Sequence, residues 1–264
     1  MAERAIITLT TDFGTQDGFV GAMKGVILSI NPQAVVVDIT HEIEAQDVMG
    51  AAFVLSHSCR SFPEGTVHIA VVDPGVGSAR RPILLQTKRY FFVGPDNGLF
   101  SFVSDLDDTV RAIELTEPKY FLSPVSDTFH GRDIFAPVAA YLSLGVDPDE
   151  LGPELKDYQR IPFPEPAVSE EGIEGQVVHI DRFGNLITNI DRRIFNDVVG
   201  EGRVRIELGP VRVEGVSHSY SEVGEGSPLA IFGSSGYLEI SVNRGSAWQR
   251  LRLKRGDPVQ VVQM

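Results

Sequence analysis

The sequence predicts an α/β N-terminal domain, a mostly parallel sheet covered by helices, followed by a small C-terminal all-β barrel. Three observations carry this. Apolar runs AIITLT (from Ala5), AVVVDI (from Ala34) and TVHIAVV (from Thr66) are near-continuous, as strands buried on both faces require. Helical-period segments lie between them. Beyond Gly172 the pattern changes to short alternating runs broken by glycine turns, with no long helical stretch.

Taken in order, the first strand passes through TDFGTQD into a helix with Phe19, Val20, Met23, Val26, Ile27 and Ile30 at the helical spacing, stopped by Asn31-Pro32. AVVVDI reads as a second buried strand, and Asp47 to Ser58 as a second helix. The third strand ends in DPGVGS. ILLQT and YFFVG read as a hairpin, and Gly131 to Leu144 as a further helix. Proline and acids cluster in IPFPEPAVSEEG, which reads as a linker over 161–171, separating domains at 1–160 and 172–264. GQVVHID, RVRIEL, PLAIFG, GYLEISV and DPVQVVQ are the barrel strands. No internal repeat is present.

The 264 residues carry 36 acidic and 23 basic side chains, a net charge of −13. From Gly172 onward the two signs balance, so the whole excess lies in the first part, where it would attract a cationic ligand or simply solubilise the surface. No basic stripe suits nucleic acid, and no apolar run reaches the roughly 18–20 residues of a membrane span. The charged start MAERAIITLT lacks a signal-peptide core, and the single Cys59 excludes an intramolecular disulfide framework or a thiolate zinc cage. A cytoplasmic setting is expected.

Open α/β sheets bind ligands at the carboxyl ends of their strands. Here those ends carry Asp12, Asp38, His41, Asp73, Asp96 and Asn97. Each has a plainer explanation: Asp17 as an N-cap, GPDNG as a tight turn. As a set at one sheet edge they point to a site. The loop Asp73-Pro-Gly-Val-Gly-Ser-Ala-Arg80-Arg81 lacks both the ending of a P-loop and the spacing of a dinucleotide fingerprint, and suggests a carboxylate–guanidinium pair instead. His130 precedes a helix in Thr128-Phe129-His130-Gly131-Arg132-Asp133, equally suited to a structural or a functional role. In the second half, IDRFGN (180–185) and FGSSGY (232–237) join glycines to hydrogen-bonding or stacking groups.

Together, TTDFGTQD, DITHEI, VVDPGVGSARR, GPDNGLFS, TFHGRDIFAPVAA, IDRFGNLITNI and FGSSGYLEISVNRGSA resemble the family of S-adenosylmethionine hydrolases (hydroxide adenosyltransferases), relatives of the S-adenosylmethionine-dependent fluorinase and chlorinase. The resemblance runs nearly end to end. It implies a homotrimer with sites between the N-domain of one subunit and the C-domain of the next. It also implies that S-adenosylmethionine is the substrate and that no cofactor or metal is used. By motif, Asp12 holds the ribose hydroxyls, with Asp17 supporting its loop and Gly131 at the pocket wall. Asn185 bonds adenine between the flat faces of Phe183 and Tyr220. Asp181, Ser234, Ser235 and Glu239 take the methionine end, and the backbone from Val242 to Arg244 edges the adenine. An Asp–Arg–His set marks the hydrolases and falls on Asp73, Arg80 and His130. Gln46 departs from the bulky residue frequent in relatives.

A sulfonium leaves as a neutral thioether, so the implied reaction needs only water, activated and aimed at C5′ to give adenosine and L-methionine. A neighbouring guanidinium weakens a carboxylate as a base. Asp73 is therefore expected to orient the water, Arg80 to stabilise hydroxide and His130 to accept the proton, with Asp73 and His130 exchangeable in these roles. Nothing in this reaction calls for a metal. Three alternatives stand beside it: a halogenase; a metal-dependent hydrolase using Asp12, Asp38, His41 and Asp73; and a non-catalytic adenosine-binding module.

Overall fold

The computed structural model describes residues 4–103, 109–200 and 202–264. The chain divides into two compact units, Met1–Pro162 and Phe163–Met264.

In the first unit the strands are β1 (Ile6–Thr11), β2 (Val35–Thr40), β3 (Val67–Val71), β4 (Pro82–Thr87), β5 (Phe91–Pro95), β6 (Thr109–Glu114) and β7 (Glu154–Leu155), in the order β2-β1-β3-β5-β4-β6-β7. The helices are α1 (Phe19–Ile30), α2 (Val48–Ser58) and α3 (Ala136–Ser143). Alternation along β3 shows how the sheet is buried on both faces. Val67, Ile69 and Val71 pack with Met23 and Ile27 of α1 and Val138 and Ala139 of α3. Ala70 and Val72 pack with Ala51 and Leu55 of α2.

Two expectations are corrected here. The sheet is mixed rather than mostly parallel: β2, β1, β3 and β5 run parallel, while β4, β6 and β7 join antiparallel. Three residues separate β4 from β5, too few for the crossover that a parallel pair needs. The strand from Val35 is not buried. It is the edge strand, and none of its residues is fully covered.

The predicted helix from Gly131 begins as a wide π turn over Gly131–Phe135, in which Ala136 N–H donates to Gly131 O, and becomes α-helical only at α3. Such turns insert one extra residue into a helix and often mark functional sites.

The second unit contains β8 (Ala167–Ser169), β9 (Gly172–Ile180), β10 (Leu186–Asp191), α4 (Arg192–Val199), β11 (Val204–Leu208), β12 (Val211–Glu214), β13 (Pro228–Phe232), β14 (Tyr237–Val242), α5 (Ala247–Leu251) and β15 (Pro258–Gln263). The antiparallel order is β12-β11-β15-β9-β10-β14-β13, with β8 on β9. Ser217, just beyond β12, bridges Ile231 of β13, so the two ends of the path approach and the sheet is nearly a barrel. One core fills it, including Val177, Leu186, Ile206, Leu238, Ile240 and Val259. The all-β expectation is corrected by α4 and α5. Asp191 caps α4 by accepting from Ile194 N–H at 2.7 Å, and Phe195 and Val199 form its buried side, too short a stretch to show a period in sequence. No helix among the described residues is long and apolar enough to cross a membrane.

Candidate active site

At the carboxyl ends of β1 and β3 the first unit opens a cleft of about 450 Å³. Asp12, Gln46, Asp73, Thr128 and His130 supply its polar atoms, and Phe13, Phe19, Val71 and Phe129 its apolar walls, with Gly131 beside them. The rings of Phe13, Phe19 and Phe129 meet pairwise at 5.3–5.8 Å between centroids. Sequence reasoning missed this aromatic wall, although Phe13 and Phe129 each adjoin a residue it selected.

Asp73, Arg80 and His130 come together. Arg80 Nε donates to Asp73 Oδ1 at 3.0 Å, and Nη2 donates to Asp73 Oδ2. The same Nη2 lies 2.7 Å from His130 Nδ1. A guanidinium only donates, so Nδ1 is an acceptor and the neutral ring carries its proton on Nε2. Burial, and then the Arg80 charge, hold the imidazole below its usual pKa, so it stays neutral near pH 7. Phe135 of the π turn lies under the guanidinium, 5.4 Å from its carbon. Arg80 Nη1 is buried and has no partner among the described residues.

The loop reaches this geometry through Gly77, whose φ of +73° suits glycine. A Cβ there would stand 2.3 Å from Asp127 O, so the side-chain-free backbone lets the Asp73–Arg80 loop close on the segment that carries His130.

Asp12 follows β1 directly, and its Oδ2 accepts Gln46 N–H at 2.8 Å. Gln46 reaches it in a left-handed conformation, φ +67°. Asp17 is exposed and outside the cleft lining; Gly18, not Asp17, occupies the α1 N-cap. The other strand-end residues serve elsewhere. Asp96 is buried and holds Arg81 and Gln159 N–H, while Asn97 Nδ2 donates to Val72 O at 2.8 Å. Asp38 and His41 face each other at 3.0 Å behind the Asp12 loop. Among the described residues no three His, Cys, Asp or Glu side chains converge as a metal site.

The second unit gathers its own set. Asp181 Oδ1 accepts Asn185 N–H and Oδ2 accepts Asn185 Nδ2, both at 2.8 Å, which fixes the amide of a buried asparagine. Phe183 projects from this turn, 77% exposed. Gly184 has φ +82°, and a Cβ there would stand 2.0 Å from Ser246 Oγ. Glu239 on β14 is buried, and burial followed by the charge of Asp181 pushes its carboxyl up to about 7. Burial, and then those two carboxylates, raise the Tyr220 hydroxyl as well. Gly233 lies over Glu239 so closely that a Cβ would fall 1.6 Å from Oε1. Ser234 and Ser235 sit in the same turn. Val242 is packed in the core, and Arg244, at φ +53°, turns its guanidinium to Glu225 at 3.3 Å.

Two family models match the chain: the SAM hydroxide adenosyltransferase N-terminal domain over residues 7–152 and the C-terminal domain over 175–260. The chain belongs to this family. Among curated relatives, the (R)-S-adenosyl-L-methionine hydrolase of Thermus thermophilus is 43% identical, with 96% of this chain and 97% of the relative aligned. A fluorinase from Nocardia brasiliensis is 31% identical over 98% of this chain and 97% of its own. The crystal structure of an uncharacterized conserved protein from Thermotoga maritima superposes with a TM-score of 0.91 at 38% identity, covering 97% of this chain and 99% of that one. The two matches together span most of both units.

Proposed function

We propose that the chain hydrolyses S-adenosyl-L-methionine, of the (R)-sulfonium configuration named for its hydrolase relatives, to adenosine and L-methionine. The observation that carries this is the single guanidinium of Arg80 holding Asp73 and His130 together, with both of these side chains lining the cleft.

The geometry favours one division of labour. His130 Nδ1 is occupied by Arg80, so the ring offers Nε2–H and orients the attacking water as a donor. Each Asp73 oxygen accepts from Arg80 yet keeps a second lone pair, and Asp73 takes the water proton. The Arg80 charge, held against Asp73 and His130, stabilises developing hydroxide. Oxygen then bonds C5′ as the C5′–S bond breaks, and the sulfur leaves as the neutral thioether of methionine. Asp12 binds the ribose hydroxyls with its second oxygen, Oδ2 being held by Gln46.

In the second unit, Asn185 reads adenine, its amide fixed by Asp181, with Phe183 and Tyr220 as flat faces. Glu239, Ser234 and Ser235 receive the amino-acid end. A cytoplasmic homotrimer, in which a neighbouring copy supplies this second set, accounts for an aromatic as exposed as Phe183. No cofactor or metal enters the reaction. The decisive test incubates the purified protein with each sulfur epimer in H₂¹⁸O, with and without chelator. Adenosine carrying the label, from the (R)-epimer and unaffected by chelator, is expected. Label in methionine, loss of activity with chelator, or adenosine binding without turnover would refute the reading.

A further inference from the structure

Asp38 and His41 stand out in the sequence, lie beside the cleft and have no part in the chemistry above. They form a chain of contacts that ends at the loop carrying Asp12. Half-buried Lys24 Nζ donates to Asp38 Oδ2 at 2.6 Å. Asp38 Oδ1 lies 3.0 Å from His41 Nε2, close in distance without an aligned hydrogen bond. On the other edge of the ring, His41 Nδ1 is 2.9 Å from Thr11 Oγ1. Thr11 Oγ1 also accepts Phe13 N–H at 3.3 Å. With the Asp38 carboxylate facing Nε2, the ring proton belongs there, and Nδ1 accepts the proton of the Thr11 hydroxyl. His41 grips the loop a second time through its main chain, since its carbonyl accepts Gly14 N–H at 2.8 Å. Thr11 and His41 are both buried. Asp12 therefore sits between two anchor points, Thr11 and Gly14, that belong to one residue.

We infer that His41, acting through Thr11 and Gly14, is a positioning residue for Asp12 and sets the affinity for the substrate's ribose. This rests on the reading of Asp12 as the ribose ligand. His41 touches no reacting atom, so its loss should weaken ribose binding while leaving water activation at Asp73 and His130 intact.

The test uses three substitutions at position 41 and one at position 11. His41→Leu removes both ring nitrogens. His41→Asn keeps an amide near the place of Nδ1, and His41→Gln keeps one near Nε2. Thr11→Val is nearly isosteric and removes only the hydroxyl. KM for S-adenosylmethionine and the adenosine Kd by calorimetry are measured together, with Tm as a check on folding. In His41→Leu, His41→Gln and Thr11→Val both constants should rise about five- to tenfold, the loss of one net hydrogen bond. In these variants kcat should stay within about twofold, and His41→Asn should lie close to the parent. The double variant Thr11→Val/His41→Leu should be no worse than either single one. Unchanged constants in Thr11→Val would overturn the inference. So would equal losses in His41→Asn and His41→Leu, which would mark bulk packing alone. Because adenosine carries the same ribose, its Kd reads the position of Asp12 even if the parent shows no hydrolysis, which would instead refute the proposed reaction.

Discussion

Arg80 Nη2 approaches His130 Nδ1 to 2.7 Å while the same guanidinium grips both oxygens of Asp73, so a single cation fixes the tautomer of the histidine. The imidazole then presents a donor to the cleft, and substitutions can separate the donor from a proton acceptor.

Glutamine carries an amide near the position of Nε2, asparagine one near Nδ1. His130→Gln should retain activity within about tenfold of the parent, whereas His130→Asn and His130→Ala should lose about 10²-fold or more in kcat. Neither amide accepts a proton at neutral pH, so equal losses in the Gln and Asn variants would return the role of base to His130. In the parent, protonation of the ring at Nδ1 would displace Arg80, so kcat should fall on acidification with a midpoint below 6.5, because burial and Arg80 oppose the charge.

Asp73→Ala should reduce kcat about 10²–10⁴-fold with little change in KM. Arg80→Lys should stay impaired, because an ammonium keeps the charge but lacks the planar fork that serves two partners. Asp12→Ala should instead raise KM about tenfold or more, as expected for a hydrogen bond to a charged group. Steady-state kinetics on the three variants separates the classes.

High chloride or fluoride should yield little halogenated nucleoside. Asp73 holds negative charge beside the reacting position, and a halide at about 4 Å from it meets roughly 4 kcal/mol of repulsion at an effective dielectric of 20. Product chromatography in molar halide checks this, and efficient halide incorporation would shift the assignment toward the fluorinase relatives.

A fourth prediction concerns acid stability. His68 is fully buried, bonded through Nδ1 to Thr8 Oγ1 at 2.7 Å and stacked on Phe92, and burial pushes its pKa from 6.5 down to about 3. Between those pH values the unfolded chain binds a proton that the folded chain refuses, so stability declines as pH falls through that window. At about 1.4 kcal/mol per pH unit, the loss approaches roughly 5 kcal/mol. His68→Asn should be less stable at pH 7 yet show a shallower decline from pH 6 to 4 in urea titrations. Parallel slopes would exclude His68 as the source.

What the sequence made legible follows the physics of each feature. Buried strands and Asp-rich strand ends are written as local runs, so β1, β3 and the Asp12 and Asp73 positions could be read directly. The loop itself suggested the carboxylate–guanidinium pair, but joining His130 to Asp73 and Arg80 depended on family resemblance, because a contact across 50 residues leaves no periodic trace. The parallel-sheet expectation failed because strand direction follows from connection length, and its own predicted hairpin at ILLQT and YFFVG already opposed it. The aromatic wall was hidden for another reason: Phe19 obeys the helical period as a core residue would, yet it is 46% exposed beside the cleft.

The wide turn at Gly131–Phe135 turns a count of residues into a compass bearing. An α-helix rotates about 100° per residue, so one residue more or fewer before Ala136 would leave Val138 and Ala139 in the core while swinging everything upstream by that angle. A single-codon deletion between 131 and 135 would thus aim His130 away from Arg80 without altering either side chain. The bearing of the imidazole is encoded in the length of the chain at this turn, and insertions or deletions there are a route by which a homologue could lose or remodel its chemistry while keeping every residue of the Asp–Arg–His set.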